Sequence, residues 1–532
     1  MFNCAKAKIA KREEARLKEE LNAEDIDNIP PPPDGGYGWV IVVASFMCNL
    51  VVDGVGYSFG ILLPALVDHY GSTKGTTAWV GSIMAGSMLG AGPIVSAVAN
   101  KFGCRVTCIA GCIIASGALA LSIYCPTVST LMLVYGFVGG VGYGFMYLPA
   151  VVMVGYYFES KRSLATGISV CGSGVGTFTF APLASFLLTS YGWQKTVLVL
   201  AAITITCALF GMLMRPLSYD EQVIEEVKVP SKGALMSRAS EGNISNRPVY
   251  NSTLSISKRK NSLQPLARKD VFYASSIQNL KEFQSRTSLA EYRNSVHSLS
   301  ARPKSPSLKG DSSDMCGQLI DFSLLKDPVF LIIAISNLFG MTAFYIPFVY
   351  LVDLAELEGI ANSRAAFLIS VIGITNTVGR IAIGFIADIK SVNNFHVNNL
   401  CLLIGAASTA AFTMCHSYMS FVLVSIFFGI AVAGYISLTS IILVEFLGLE
   451  KLTNAFGLTI LFRGAASLVG SPIAGTLYDM TKSYNIPFFV GGALFALSGL
   501  ISATAPLFKK KDKTDDLDGE QMAPINVKQE KN

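Results

Sequence analysis

Charged residues are scarce in this sequence. Only 14% of its 532 residues are Asp, Glu, Lys or Arg, whereas 52% are hydrophobic. A water-soluble protein of this length needs far more polar surface than such a composition supplies. The shortage of charge therefore excludes a soluble globular protein and favours a protein that lies in a lipid bilayer.

Histidine is also rare, and the cysteines show no paired spacing. The four histidines are scattered over loops, span ends and the central region, and most of the eleven cysteines fall inside apolar runs. Metal sites, disulfide frameworks and catalytic clusters all require such residues in groups. No Walker-type glycine loop is present either. These absences argue against a membrane enzyme, a metal or other cofactor, and an ATP-driven pump.

Long apolar runs, by contrast, are abundant. A transmembrane helix needs roughly 20 mostly apolar residues, and the sequence contains about twelve such runs. It therefore predicts an all-α membrane protein with twelve transmembrane helices in two six-helix halves. The predicted spans are 38–66, 77–99, 104–124, 129–157, 164–190, 195–214, 328–352, 364–388, 397–416, 418–446, 453–478 and 485–508.

Lysine and arginine are concentrated on one side of these spans. The N-terminal arm, alternate loops such as those with Lys101 and Lys161, and the tail that opens with "KKKDK" all carry them. By the positive-inside rule both termini are predicted to be cytoplasmic. The net charge of +5 then reflects membrane topology and not nucleic-acid binding. No apolar signal segment precedes the first span, so the charged arm is expected to be retained.

These patterns divide the chain into five predicted parts. The long polar stretch between spans six and seven is rich in Ser, Arg, Lys and Asn, so it is predicted to be a largely disordered linker. Its serines beside basic residues fit either phosphorylation or a plain solvated tether. The parts are a cytoplasmic arm (1–36), the first six-helix half (37–214), the cytoplasmic linker (215–326), the second half (327–508) and a cytoplasmic tail (509–532).

Two six-helix halves joined by a long loop resemble the major facilitator architecture, in which the substrate site lies near mid-membrane between the halves. "GFIADIK" (384–390) is close to the loop signature of that superfamily, and "SAVANKFGCR" (96–105) is a weaker copy. "YGFVGGVGYGFMYLP" (135–149) and "TGISVCGSGVGTF" (166–178) carry glycines on one helix face each. Such faces let helices approach closely, whether for static packing or for sliding.

Three further motifs resemble the monocarboxylate transporter family. They are "PPPDGGYGWVIVVASF" (31–46), "YYFESKRSLATGISVCGSGVG" (156–176) and "AFGLTILFRGAASLVGSPIAGTLYD" (455–479). The resemblance implies transport of small organic acids or related metabolites, with a proton in some relatives and without one in others. It also implies that a single-span glycoprotein companion is needed for surface delivery in some relatives.

Three ionisable residues lie deep inside predicted spans: Asp53, Arg380 and Arg463. A charge at bilayer depth is costly unless it faces a wet cavity or a partner, so such residues are candidates for function. The planar fork of Arg380 suits a carboxylate, which it can hold through two hydrogen bonds. Arg380 also matches the substrate-binding arginine of the family. The alternative is a structural ion pair between helices.

The sequence departs from the short-chain acid carriers of the family at three positions. Asn376 stands where those carriers have an acid one turn before the arginine, and Tyr57 stands where they have an anion-binding lysine. Ser440 or a neighbouring small residue replaces a bulky aromatic that narrows their pocket. Both coupling groups of those carriers are thus missing, and the pocket is predicted to be wider.

The roles of Asp53 and Arg463 stay open at this point. Asn49, Asp53 and Tyr57 recur every four residues and so share a helix face. Asp53 can accept a proton, pair with an amino group of the substrate, or neutralise an arginine. Arg463 can be a second anion contact, a gate residue that pairs with Asp53, or part of a structural pair. Further candidate contacts on the spans that would line a pore are Asn337, Tyr345, Tyr435 and Ser437.

The sequence as a whole predicts a multi-pass plasma-membrane transporter, not an enzyme, that moves monocarboxylates or related acids by alternating access, with proton symport as one version. The alternative is proton-independent, facilitated transport of an amino acid derivative, a guanidino acid or a polyol. A non-transporting sensor built on the same fold is a third interpretation. The retained arginine, Arg380, and the glycine-lined helices argue against that third interpretation.

Overall fold

The computed structural model describes most of the membrane-spanning part of the chain. Within the polar stretches it describes only short segments, and the N-terminal arm up to residue 31 and the tail from residue 509 lie outside it. The acidic and basic residues of the 384–390 loop signature also lie outside it. The described residues are 32–159, 161–230, 250–262, 269–275, 277, 280, 283, 296, 322–387, 389 and 391–508.

The first half consists of helices that run back and forth in sequence order. One π-helical stretch, Met132–Val138, continues directly into a longer α-helix. The helices are α1 (Tyr37–Tyr57), α2 (Phe59–Tyr70), α3 (Lys74–Gly90), α4 (Gly92–Phe102), α5 (Cys104–Ser122), α6 (Val128–Leu131), α7 (Gly139–Tyr157) and α8 (Arg162–Leu213).

The second half repeats this plan after the central stretch. Three of its helices begin at side-chain caps: Asp327, Asn393 and Ser417 each accept a backbone N–H of the first turn. The helices are α9 (Pro328–Leu357), α10 (Asn362–Ala387), α11 (Asn394–Ala411), α12 (Tyr418–Ser437), α13 (Thr439–Leu447), α14 (Leu452–Thr481) and α15 (Asn485–Ala503).

The described helices account for twelve membrane crossings. Ten are long and apolar enough to cross by themselves, and α3 with α4, bent by 47° at their junction, makes one more. Helix α8 has 52 residues and is interrupted at Gly192, where φ is 79°. At about 1.5 Å per residue it would be about 78 Å long, more than twice a hydrocarbon core of roughly 30 Å. It therefore contains two spans, and the predicted fold class is confirmed.

The glycine faces predicted from the sequence pack against single neighbouring helices. Gly136, Gly140 and Gly144 lie against successive turns of α3, beside Val80, Met84 and Met88. In the same way, a Cβ at Gly172 or Gly176 would collide with backbone carbonyls of α1. These helices can approach each other this closely because glycine has no side chain at the contact.

The two halves meet along two helix pairs, α3 with α14 and α8 with α10. Small residues face each other at both contacts. Gly86 lies beside the backbone of Gly464, and Gly174 lies beside the backbone of Gly373. The side chains of Leu468 and Thr377 fit against Gly86 and Gly174, so the two halves approach each other closely at both contacts.

The described part of the central stretch contains two strands and a short segment near the bundle. Strands β1 (Ser218–Pro230) and β2 (Tyr250–Ser262) pair antiparallel, with Ser218 opposite Ser262. The strand sequence "QVIEEVKV" contains β-branched residues that favour extended backbone. Residues 269–275 are also described, and they pack against the bundle.

Candidate functional site

A cavity of about 180 Å³ lies between the two halves. It extends from the middle of the bundle toward the end where α1 begins, which also carries Lys101, Arg105 and Lys161. That end is called the basic face here, and the opposite end is called the gate face. The sequence-predicted residues that line the cavity are Asp53, Tyr57, Tyr345, Arg380, Ser437, Ser440 and Arg463.

Arg380 lies on α10 with its guanidinium at the cavity wall. Its Nε donates to Asn376 Oδ1 at 3.0 Å, and one Nη donates to the backbone carbonyl of Val170 at 3.2 Å. The side chain is buried, and both of its hydrogen-bond partners are neutral. Asn376 therefore orients the guanidinium from one turn away but does not neutralise it.

Arg463 lies on α14 and is held in a similar way. Its Nε donates to Asn337 Oδ1 at 2.9 Å, and its Nη2 donates to Thr439 Oγ1 at 2.5 Å. The guanidinium also lies over the ring of Tyr435, with its central carbon 4.9 Å from the ring centroid. Tyr435 in turn donates to the backbone carbonyl of Asn337 at 3.1 Å. These partners fix the position of Arg463 without supplying a negative charge.

Asp53 and Tyr57 line the cavity from α1, in the opposite half. Asp53 lies beside Ser173 and within electrostatic range of Arg380. Asn49, one turn earlier on the same face, is fully buried and donates to the backbone carbonyl of Ser45 instead. The predicted polar stripe therefore reaches the cavity only at its second and third members.

The ion pairs considered for these residues from the sequence are not formed. Among the described residues, no carboxylate lies within 4.0 Å of Arg380 or Arg463. Arg463 does not pair with Asp53, so a gate made by these two residues is absent from this conformation. Within the same part of the chain, no group of three His, Cys, Asp or Glu side chains is arranged to hold a metal ion.

An aromatic layer closes the cavity toward the gate face. Tyr57 stacks on Phe348 at a centroid distance of 4.4 Å, and Phe344 and Tyr345 pack beside it at about 6 Å. Three of these four rings come from α9 and one from α1. The two halves are thus in direct contact above the charged residues.

A charged cluster seals the gate face beyond this layer. Lys74 pairs with Asp353, which also accepts a hydrogen bond from the phenol of Tyr484. Asp479 accepts the backbone N–H of Gly75 at 2.8 Å, and the Lys74 ammonium lies 4.2 Å from the ring centroid of Tyr478. Burial and then the Asp353 carboxylate raise the pKa of Tyr484 well above its ordinary value. The phenol therefore stays protonated and continues to donate.

Residues 269–275, called the mouth segment here, cover the other end of the cavity. Val271 to Ser275 form part of the cavity wall. Asp270 pairs with Arg162 of α8 at 2.7 Å, and both side chains are fully buried. Phe272 stacks on Phe456 of α14 at a centroid distance of 5.0 Å. The mouth segment consequently bridges the two halves at the basic face.

Two of the sequence motifs meet at this same face. The Asp34 carboxylate of the first motif accepts the backbone N–H of Glu159 in the second, at 2.6 Å. The backbone N–H of Asp34 donates to the carbonyl of Tyr157, and Trp39 packs edge-on against Phe158. The motifs therefore join the start of α1 to the turn that precedes α8.

Sequence reasoning missed three parts of this arrangement. Tyr147 faces the cavity between the charged residues, and nothing in its local sequence distinguishes it from a packing aromatic. Asp353 lies in the apolar run "FVYLVDLAEL". A charge in such a run is costly to bury in a bilayer, and the same argument had identified Asp53 as a candidate. The apolar "VFYA" (271–274) stands out in a polar stretch and could have indicated a docked segment.

This architecture is that of a multi-pass membrane carrier with a central cavity between two six-helix halves. A family model described as Major Facilitator Superfamily matches residues 45–398. A second, described as Uncharacterised MFS-type transporter YbfB, matches residues 323–503. The chain belongs to the monocarboxylate transporter family of the Major Facilitator Superfamily, and its relatives are transporters and not enzymes.

The relatives align over nearly their whole length. Monocarboxylate transporter 14 of Mus musculus is 29% identical, covering 94% of this chain and 96% of that protein. Monocarboxylate transporter 9 of Rattus norvegicus is 30% identical over 89% of this chain and 94% of that protein. A solved structure of a mutant nucleoside transporter NupG aligns with a TM-score of 0.58 at 12% identity. It covers 89% of this chain and all of that one, and it supports the fold alone.

Proposed function

We propose that this transporter carries small organic acids by alternating access and that Arg380 binds the carboxylate of the cargo. One observation carries the proposal: the Arg380 guanidinium lines the central cavity and lacks a carboxylate partner among the described residues. A buried arginine costs about 2.5–3.5 kcal/mol at the bilayer centre on insertion scales. A carboxylate on the cargo would neutralise the guanidinium and accept charge-assisted hydrogen bonds from it.

The same cavity offers supporting contacts from both halves. Asn376 orients Arg380, while Tyr57, Asp53 and Ser440 line the space in front of it. The serine, in place of a large aromatic, leaves room for cargo longer than the shortest acids. In the proposed cycle, the halves would tilt along the α3–α14 and α8–α10 contacts and expose this space to each face in turn.

We propose that Asp53 links transport to a proton. It is faced by Arg380 and by the phenols of Tyr57, Tyr147 and Tyr345. Among the described residues, no lysine lines this cavity. The second candidate function is proton-independent transport of a zwitterionic or neutral metabolite. This second function is favoured by the contact between Arg380 Nε and Asn376, which is a neutral residue. Because Asp53 is not needed to hold that guanidinium, it can pair with an amino group on the cargo.

We further propose that the basic face is cytoplasmic, with both termini on that side, and that the protein resides in the plasma membrane. The basic loops support this orientation through the positive-inside rule. The five-part division of the chain and the need for a single-span glycoprotein companion belong to the same proposal. Co-expression with and without such a companion, followed by surface biotinylation, tests the last point.

Replacing Arg380 by glutamine is expected to raise the KM for propionate uptake by roughly 10- to 100-fold. The reason is that a hydrogen bond to a charged group contributes about 1.5–3 kcal/mol. The measurement is uptake of radiolabelled propionate into proteoliposomes containing the purified chain. Arg364→Gln is the matched control, since Arg364 lies at the far end of the same helix against Tyr418. Unchanged propionate uptake in Arg380→Gln would overturn the proposed role.

An imposed pH gradient separates the two candidate functions. If Asp53 carries the proton, an acidic outer solution is expected to accelerate propionate uptake severalfold, and Asp53→Asn is expected to remove that acceleration. The measurement compares initial rates with and without the gradient, in protein shown by gel filtration to be folded. A wild-type rate that ignores the gradient would exclude proton coupling and favour the second candidate.

A further inference from the structure

Arg463 is a second guanidinium in the same cavity, and its surroundings differ from those of a structural arginine. Its hydrogen-bond partners, Asn337 and Thr439, and the ring of Tyr435 are all neutral. A guanidinium has five N–H donors. The hydrogen bonds to Asn337 and Thr439 use two of them, one on Nε and one on Nη2. Arg463 is 6% exposed, and it lines the cavity.

The charged residues of the cavity converge on one place. Tyr147 of α7 interacts electrostatically with Asp53, Arg380 and Arg463. Tyr345 of α9 does so with Asp53, Tyr147 and Arg463. Both phenols line the cavity, so the two guanidinium groups and the carboxylate surround a shared space. Both arginines therefore border the space that a bound small molecule would occupy.

The charges in this space balance for a cargo with one carboxylate only while Asp53 is ionised. Before cargo binds, the net charge of Arg380, Arg463 and Asp53 is +1 if Asp53 is ionised. It is +2 if Asp53 is protonated. If Asp53 is protonated, as the proposed proton coupling requires, a monocarboxylate bound by Arg380 would leave Arg463 without an anion in a buried place, which is unfavourable. A cargo with a second acidic group would neutralise both guanidinium groups. With Asp53 protonated, the net charge of the two arginines, Asp53 and the cargo would then be zero.

We propose that Arg463 forms a second anion subsite and that the preferred cargo is a short dicarboxylate. This inference rests on the proposed function, since it takes Arg380 as the first carboxylate site. Asn337, Thr439 and Tyr435 are positioning residues that aim the Arg463 fork into the cavity. The distance between the two carboxylates of the cargo is then set by α10 and α14, which present the two arginines from the same half.

The test uses radiolabelled succinate and propionate as probes in proteoliposomes with the purified chain. Wild type is expected to take up succinate with the lower KM. Arg463→Gln is expected to raise the ratio of the succinate KM to the propionate KM by about tenfold or more, the loss of one charge-assisted contact. Arg463→Lys is expected to restore only part of that ratio, because an ammonium lacks the fork. Arg364→Gln should leave the ratio unchanged.

A second measurement does not depend on a variant that folds. Succinate is expected to raise the unfolding temperature of the wild-type protein in detergent at lower concentrations than propionate does. A wild type that carries propionate and is neither stabilised by succinate nor able to carry it would overturn the second subsite but leave the proposed function intact. An equal effect of Arg463→Gln on both probes would also overturn it. A wild type that carries neither probe would overturn both.

Discussion

Asp270→Ala is expected to release the mouth segment from the cavity and to raise hydrogen exchange throughout residues 269–275. The variant leaves the Arg162 guanidinium, now fully buried, without its carboxylate. Removing one member of a buried ion pair costs about 3–5 kcal/mol. Detachment of the mouth segment is the response that costs the least free energy, because it lets water reach Arg162 while the helices stay packed.

The release is expected to change transport as well as exchange. In the proposed cycle, the two halves close the basic face by approaching each other where Val271 to Ser275 now lie. A detached mouth segment would no longer occupy that space, so turnover of propionate is expected to increase. Exchange of the cavity-lining part of α8, from Ser163 to Val170, should rise in parallel.

Lys269→Ala is the matched control within the same segment. Lys269 pairs with Glu450 at 3.2 Å, but the Glu450 side chain is 81% exposed. Exposed ion pairs contribute about 0–1 kcal/mol, so this variant should behave like wild type. If Asp270→Ala lowers the unfolding temperature without increasing exchange in residues 269–275, the pair stabilises the bundle itself and the mouth segment is not a separable cover.

The sequence allows prediction of the cavity charges because their cost is local. A charge such as that of Arg380 or Arg463 stands out against its own apolar helix, whatever the rest of the fold does. The span pattern is local for the same reason. The fold class and many of the cavity-lining residues could accordingly be predicted from the order of the amino acids alone.

The contacts at the two ends of the cavity were not predictable in that way. Asp270 meets Arg162, and Lys74 meets Asp353, across 108 and 279 positions of sequence. No periodicity links such distant residues, and no local signal identifies which residue pairs with which. The mouth segment illustrates the point: composition predicts disorder for the central stretch as a whole, and it cannot reveal that Asp270 forms a buried pair with Arg162.

Lys74→Met is expected to shift the transporter toward a conformation that is open at the gate face. Lys74 and Asp353 belong to opposite halves, and their side chains are only 18% and 11% exposed. Losing the ammonium leaves Asp353 in a largely buried place with the Tyr484 phenol as its remaining partner here. Opening the gate face would hydrate that carboxylate, so the variant stabilises the open conformation relative to the closed one.

Spin labels at two exposed positions of the gate face, 68 and 482, measure this shift. Each 1.4 kcal/mol of difference changes the ratio of the two conformations about tenfold. We expect a longer distance to become a major component in Lys74→Met. Lys195→Met removes an exposed lysine that lies near the ring of Tyr191, and it should leave the distances unchanged.

The double variant Lys74→Asp with Asp353→Lys decides whether the pair acts through its charges. It reverses both signs and keeps the two residues in opposite halves, so the short distance is expected to return if attraction between the ions holds the gate closed. The Asp479 carboxylate next to Gly75 would then repel the new aspartate, which predicts a partial rescue. A short distance that persists in Lys74→Met would mean that the aromatic layer of Tyr57, Phe344, Tyr345 and Phe348 seals this face without the ion pair.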